Sequence, residues 1–384
     1  MKRFYQDLKL GVLGGGQLGR MLIQASIDLN IYSKVMDPSA EAPCSAFAPS
    51  FVQGAITDYD TVLAFGKDLD VITIEIENVN VEALKQLQID GKIVHPDPYI
   101  IELIQDKRTQ KQFFQEKGLP SSPFVLVDNK EAVKKHRDRL PFVQKLGKAG
   151  YDGRGVQIIR SEEELEKAFD EPGLIEDLIP FEKELAVLVA RNANDDIITY
   201  PIVEMVFHPE QNLVEYLFSP AEISAHLAEE ARQLAHTVVK ELKYVGIMAI
   251  EMFLTPDNQL LINELAPRPH NSGHHTIRAC SASQYEQHLR AILGLPLGDP
   301  VQLCPAAMVN MLGNPNEIGP AIYAGIEHTL AIPGAYPHIY GKTQTKPFRK
   351  MGHVTLLGED LMVLKNKVGQ VQELLQVISD TAPS

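Results

Sequence analysis

Gly14-x-Gly16-x-x-Gly19 stands between an apolar run, Lys9 to Leu13, and a helical pattern in which Leu18, Met21, Leu22 and Ala25 recur at three-to-four spacing. A strand that turns on glycine into a helix commits the chain to alternating layers. Ser33 to Met36 and Val71 to Ile76 supply further strands. Strands parted by helices need crossovers, and therefore a parallel sheet. Asp37 ends the second strand where dinucleotide-binding folds place an acid on a ribose hydroxyl. Such a turn can serve a nicotinamide or flavin, another phosphorylated ligand, or only close strand-helix packing.

Further along, His95-Pro96-Asp97-Pro98 punctuates the chain, and a charged helix is predicted from Tyr99 to Lys117. It leads into Gly118-Leu119-Pro120, where the first boundary is expected. Strands are predicted at Phe142 to Leu146, Val156 to Arg160, Leu174 to Leu178 and Glu184 to Arg191. Ser161 to Glu164 has the form of a capping box. Ser224 to Tyr244 reads as an amphipathic helix, and Ile247 to Leu254 with Gln259 to Leu265 as a hairpin about Thr255-Pro256-Asp257-Asn258. Leu364, Val368, Val371, Leu375 and Ile378 make a final helical stripe.

The bulk properties narrow the function. At roughly 150 residues per domain, 384 residues imply two or three domains. A net charge of −14 repels phosphate polymers and anionic lipid, so neither nucleic-acid nor membrane binding is expected. The longest apolar run, Leu185 to Ala190, falls far short of the ~18 residues of a membrane span. The first residues lack a leader's apolar core, and three widely spaced cysteines suit a reducing compartment. A soluble cytoplasmic enzyme is expected.

Three later segments carry chemistry. Gly147 to Gly155 holds four glycines among Lys148, Asp152 and Arg154, between two strands, with Lys145 just upstream. Strand-loop-strand order excludes a Walker loop, which opens a helix; a flap over phosphate fits, as does a mobile hairpin tip. On the second hairpin, an even-numbered loop would set Glu251 opposite Ile262, with Glu264 its diagonal neighbour on the same face. Two carboxylates among Ala249, Phe253 and Leu260 need a cation between them, and magnesium accepts such ligands together with nucleotide phosphates; a solvated outer face is the alternative. Arg268-Pro269-His270-Asn271-Ser272-Gly273-His274-His275 follows at once. It lacks cysteine or carboxylate at zinc spacing, and a polar substrate loop fits better.

Together these features resemble an ATP-grasp ligase. Gly14 to Arg20, Gly150 to Gly155, Asn263 to His274 and Arg349-Lys350-Met351-Gly352-His353 occur in the order seen in the 5-(carboxyamino)imidazole ribonucleotide synthase family. The resemblance covers residues 11 to 353 and implies an α/β chain of three parts. These are a Rossmann-like (pre-ATP-grasp) domain at 1–106, an ATP-grasp domain at 107–297 and a small α+β carboxy-terminal domain at 298–384 that completes the substrate site. It removes any nicotinamide role from Asp37. It also implies a homodimer that uses ATP, magnesium, bicarbonate and 5-aminoimidazole ribonucleotide.

Residue by residue, the resemblance assigns Arg108 and Lys145 to the ATP phosphates, covered by Gly150, Tyr151, Asp152, Gly153, Arg154, Gly155 and Val156. Glu176, Asp177, Leu178 and Ile179 would border adenine, Glu184 would accept from the ribose, and His208 and Asn263 fall at nucleotide positions. Glu251 and Glu264 would hold magnesium; Ala266 stands where many relatives carry a third ligand, asparagine. Gln17, Glu77, Arg268, His270, Asn271, Ser272, Lys342 and Arg349 would meet the ribonucleotide, with Asp152, Arg154 and Lys350 catalytic. Other ATP-grasp carboxylases or transformylases, a nicotinamide oxidoreductase and a non-catalytic nucleotide binder are the rivals.

Overall fold

A computed structural model describes residues 8–148, 155–208, 211 and 213–380. Strands Lys9–Leu13, Tyr32–Asp37 and Val71–Ile74 form the middle of a five-stranded parallel sheet, with Ser50–Gln53 and Ile93–Val94 at its edges. Leu10 to Leu13 are buried, as befits a central strand covered by helices on both faces. The third strand stops at Ile74, because Glu75 turns to the glycine turn and accepts from Gly16 N at 2.8 Å and Gly19 N at 2.9 Å. Asp37 likewise accepts from Gly15 N and Ser39 N, both at 2.8 Å. Both acids serve the turn itself. A Cβ on Gly16 would lie 2.6 Å from Glu75 Oε1, so glycine is needed there for the chain's own carboxylate.

The single helix expected from Tyr99 to Lys117 is two, Pro98–Gln105 and Lys107–Glu116. Asp106 is extended between them, and its carboxylate accepts from Arg108 N at 3.0 Å, capping the second helix. Next comes a four-stranded antiparallel sheet in the order Phe124–Val127, Gly173–Asp177, Phe142–Leu146, Val156–Ile159. The capping box does not form as expected: Glu163–Lys167 is a 3₁₀ turn, and Glu164 bonds to Arg160 N at 2.8 Å instead.

A nine-stranded antiparallel sheet supports the remainder. From one edge it runs Leu260–Ala266, Gly246–Leu254, Lys183–Arg191, Val203–Phe207, Val214–Ser219, Ala306–Leu312, Lys350–Leu357 and Ala335–Ile339, with Ile197–Thr199 paired beside Lys183–Arg191. This sheet continues unbroken past residue 297 into the carboxy-terminal part. Helix Ala225–Glu241, capped by Ser224, packs Leu227, Ala231, Ala235 and Val238 against the strands around Val187 and Ile250. The last helix spans Leu361–Leu374 only. Leu375 is extended, and Gln376–Ser379 pairs with Gly319–Ala324, so Leu375 and Ile378 leave the expected helical stripe.

The hairpin register also differs from expectation. Its loop has five residues, Thr255 to Gln259, closed by Thr255 N to Gln259 O at 3.0 Å and Gln259 N to the Thr255 hydroxyl at 2.9 Å. An irregularity beyond Met252 adds a second shift, leaving Asn263 without a cross-strand partner. Glu251 consequently faces Glu264 directly, where the even-loop count set it against Ile262.

Candidate active site

The small antiparallel sheet and the edge of the large one face each other across a cleft. Lys145 spans it, donating to Glu176 Oε2 at 2.8 Å on its own sheet and to Asn263 Oδ1 at 3.0 Å on the other. Lys107, one residue past the Asp106 cap, reaches Glu264 Oε2 at 2.5 Å. Glu176 also faces the Lys111 ammonium at 3.2 Å. Lys145, Glu176, Glu184, Glu251, Asn263 and Glu264 therefore gather at one place.

The charges there are poised. Burial pushes the Glu251 carboxyl up to about 8, with the Glu264 and Glu184 carboxylates adding to the rise. Burial likewise raises Glu184 to about 7, against the pull of Lys145. Burial works against the Glu264 charge too, but Lys107 and then Lys145 outweigh it and hold this carboxyl below the ordinary range. Burial pulls the Lys107 ammonium down, yet Glu264, Glu176 and Glu251 keep it above its usual value. Two facing carboxylates, of which Glu264 is paired with Lys107, make an all-oxygen pair suited to a hard divalent cation. Among the described residues no cluster of three or more His, Cys, Asp or Glu forms a further metal site.

The loop after the hairpin is built around buried polar contacts. Gln284 accepts from His270 N at 2.9 Å and donates to His270 O at 2.8 Å; a Cβ on Gly273 would lie 2.3 Å from its Oε1. His270 Nδ1 accepts from Ser272 N at 3.3 Å and lies 2.9 Å from the Ser272 hydroxyl. With Nδ1 an acceptor, the proton sits on Nε2, which faces Glu251 Oε1 at 3.5 Å. Asn271 and Asn310 exchange amide hydrogen bonds at 2.9 and 3.0 Å, fastening the loop to the large sheet. The side chains of Asn271 and Ser272 thus hold the loop's shape. Arg268 pairs with Glu77 at 2.8 Å across the join to the first domain. Gln17 begins the first helix, immediately after the Glu75-filled turn.

The carboxy-terminal part brings up its own cations. Lys342 donates to Lys350 O at 2.7 Å, and Arg349 to Gln344 O at 2.6 Å, tying the two segments together. The Lys350 charge acts on Glu251 and on His274. Behind Lys350, His274, His353 and His338 stack in sequence, with ring centroids 4.7 and 5.0 Å apart. Tyr285 and Tyr340 hydroxyls lie 3.0 Å from His274 Nδ1 and His353 Nδ1. Burial depresses all three imidazoles, His338 to about 4.

The remaining nucleotide candidates are distributed as follows. Arg108 is gripped by Asp106, at 3.0 Å through Nε and 2.6 Å through Nη2, and Gly147 lies so close that a Cβ would meet Arg108 Nε at 2.7 Å. Asp177 pairs with Arg139 at 2.6 Å, and Leu178 and Ile179 follow as the strand leaves the sheet. Glu176 points into the lysines, so only its backbone is left to border adenine. His208 packs edge-on to Phe348, 5.6 Å between centroids, beside Arg349. Gly155 turns into the return strand, which Val156 begins opposite Lys145. Gly150, Tyr151, Asp152, Gly153 and Arg154 lie outside the described residues.

Sequence reasoning missed Lys107, Lys111, Glu75 and Asn310. A signal existed for the lysines: the stripe Lys107, Gln110, Lys111, Phe114 has core-facing spacing, and three of these are buried. Glu75 and Asn310 meet partners 56 or more and 39 residues away, with no local mark.

A glycine loop between strands, a strand lysine and paired carboxylates facing it across two sheets define an ATP-grasp ligase. The description "ATP-grasp domain" matches residues 112–285, "Ribonucleotide synthetase preATP-grasp domain" residues 8–105, and "Phosphoribosylaminoimidazole carboxylase C-terminal domain" residues 306–367. The chain belongs to the N5-carboxyaminoimidazole ribonucleotide synthase family. It is 40% identical to the synthase so named from Synechococcus elongatus, over 90% of this chain and 89% of that one. It is 39% identical to the chloroplastic phosphoribosylaminoimidazole carboxylase of Vigna aconitifolia, covering 96% of this chain but 67% of that longer protein. The crystal structure of the Thermotoga maritima synthetase superposes with a TM-score of 0.90 at 40% identity, covering 97% of this chain and all of that one. The Aspergillus clavatus synthase in complex with ADP and 5-aminoimidazole ribonucleotide superposes with a TM-score of 0.87 at 31% identity, covering 96% and 99%.

Proposed function

We propose that this protein carboxylates the exocyclic amine of 5-aminoimidazole ribonucleotide with bicarbonate, giving 5-(carboxyamino)imidazole ribonucleotide, ADP and phosphate in purine biosynthesis. The observation that carries the proposal is the cleft itself, with Lys145 on one sheet and the Glu251–Glu264 pair on the other. Bicarbonate is a poor electrophile. A bicarbonate oxygen attacks the γ-phosphorus of ATP, ADP leaves, and carboxyphosphate results. The amine nitrogen then attacks the activated carbon, directly or as released carbon dioxide; phosphate departs and the nitrogen gives up a proton.

Phosphoryl transfer asks a protein for position and charge more than for covalent help. Lys145, held from both sides by Glu176 and Asn263, presents a fixed ammonium to the phosphates, with Arg108 nearby on the capped helix. Magnesium held by Glu251 and Glu264 would neutralise the phosphate charge between those oxygens and the lysines. The glycine loop from Gly150 to Val156, with Asp152 and Arg154, would exclude water that hydrolyses carboxyphosphate. Gln17, Glu77, Arg268 and His270 would bind the ribonucleotide beside the clamp, and Lys342, Arg349 and Lys350 would meet its charged groups. We place this enzyme in the cytoplasm, in line with three free cysteines, two of them buried, and take it as a homodimer from the family resemblance.

The test is ADP release with each substrate omitted in turn. Dependence on both bicarbonate and aminoimidazole ribonucleotide is expected. ADP release indifferent to the ribonucleotide would overturn the assignment, and light-scattering mass at micromolar concentration checks the dimer.

A further inference from the structure

Helix Lys107–Glu116 turns two lysines inward one turn apart, which is unusual, since lysine is almost never fully buried and like charges four apart repel. Lys107 is accounted for by Glu264. Lys111 is not accounted for by the site as described. Its side chain is 3% exposed, donates to Ser122 O at 2.8 Å, faces Glu176 at 3.2 Å and lies 5.4 Å from the centre of the Phe124 ring. Glu176, 4% exposed, already has an adequate partner in Lys145 at 2.8 Å. A buried one-to-one pair would be neutral; a second ammonium costs desolvation and repels the first. Burial, and then Lys145, indeed act to lower the Lys111 ammonium against the pull of Glu176.

The two walls of the cleft explain the surplus. Among the described residues the large sheet presents Glu184, Glu251 and Glu264; Lys107 pairs with Glu264, while Lys145 and Lys350 act electrostatically on Glu184 and Glu251. On the small sheet's side Lys111 and Lys145 share the single carboxylate of Glu176 among the described residues. A metal–nucleotide carries positive and negative charge in that same opposed sense. We propose that Lys111 is a positioning residue for ATP: its ammonium, 3.2 Å from the second oxygen of Glu176, offsets that carboxylate's charge, so that Glu176 holds Lys145 in place without cancelling its charge. The small-sheet wall then keeps one positive charge that a nucleotide phosphate completes. This rests on the ATP role proposed above for Lys145.

The charge count gives a test that a merely structural role does not pass. The Lys111–Glu176–Lys145 group carries +1; Lys111→Met makes it 0, and Lys111→Met with Glu176→Gln returns it to +1. ATP affinity of the full-length protein is measured by calorimetry with magnesium, and folding by circular dichroism. Lys111→Met is expected to weaken ATP about tenfold, with KM for aminoimidazole ribonucleotide changed less than about twofold. The double variant is expected to recover to within about threefold of the unaltered protein, since losses that share one charge balance are not additive. Unchanged ATP affinity in Lys111→Met overturns the proposal, as does a double variant that binds no better than the single. If Lys111→Met does not fold, the double variant decides alone, and a tenfold loss there overturns the proposal. Because ATP binding is read directly, ADP release independent of the ribonucleotide would refute the proposed reaction and leave this outcome intact.

Discussion

His288 should make the union of the first two domains sensitive to acid. It lies on helix Gln284–Ile292 with no exposed surface. Its Nδ1 accepts from Ile247 N at 3.1 Å, on the large sheet, and its Nε2 lies 2.9 Å from the Thr73 hydroxyl, on the parallel sheet. An amide N–H only donates, so the one ring proton sits on Nε2 and a second would have to displace the Ile247 bond. Gly246 is shaped to this contact: its φ is +129°, and a Cβ there would meet the ring at 3.1 Å. Burial pulls the imidazole down to about 3, and His95 adds to the fall. A folded value below the unfolded ~6.5 means that the contribution is intact above pH 6.5 and is lost as pH falls from there toward 3. At 1.36 kcal/mol per unit, the loss by pH 5 approaches about 2 kcal/mol, a sizeable part of an ordinary domain's ~5–15 kcal/mol. The chain has no tryptophan, so urea unfolding is followed by circular dichroism at pH 7.5 and 5.0. His288→Gln should start less stable yet lose about 1–2 kcal/mol less between the two pH values. Parallel falls for variant and unaltered protein would refute the reasoning.

Three further outcomes are expected. Glu264→Gln should lose ADP formation by about a hundredfold or more while staying folded, because Lys107 loses its counter-charge and the proposed magnesium clamp half its charge; near-normal turnover at ordinary magnesium would remove Glu264 from that proposal. Lys350→Ala should lower the yield of carboxylated product per ADP while leaving ATP affinity within about twofold, checked by coupled product and calorimetric assays. Asn310→Leu should raise KM for the ribonucleotide and cost about 1–3 kcal/mol of stability, because Asn271 is left buried without its reciprocal amide; a change in stability with unaltered KM would confine the pair to structure.

Much of this site was legible because its chemistry needs distinctive residue types in order. The glycine loop, Lys145, Glu251, Glu264 and the Arg268–His275 segment each stand out locally, and the strands that carry them have clear apolar patterns. The register of the hairpin was not legible. A five-residue loop and an unpaired Asn263 shift it by amounts that alternation alone does not reveal, yet they decide that the two glutamates meet face to face. Asp106 was hidden differently, since one carboxylate among many charged residues gives no sign that it ends one helix and caps the next. Lys107 and Lys111 share a core-facing stripe with Gln110 and Phe114, but nothing local names their partners. Their partners, Glu264 and Glu176, lie 157 and 65 positions away, and only tertiary packing brings them together.

The carboxylate of Glu75 beneath Gly16 and Gly19 has a wider consequence. The first helix begins with its amides already occupied by a tethered carboxyl group, present at an effective concentration that no dissolved anion can match. A glycine turn of the kind that can hold a phosphorylated ligand is here filled by the chain's own side chain. Its glycines record the clearance that an internal guest requires, and phosphate or sulfate in the buffer should leave the first domain's melting temperature where it was.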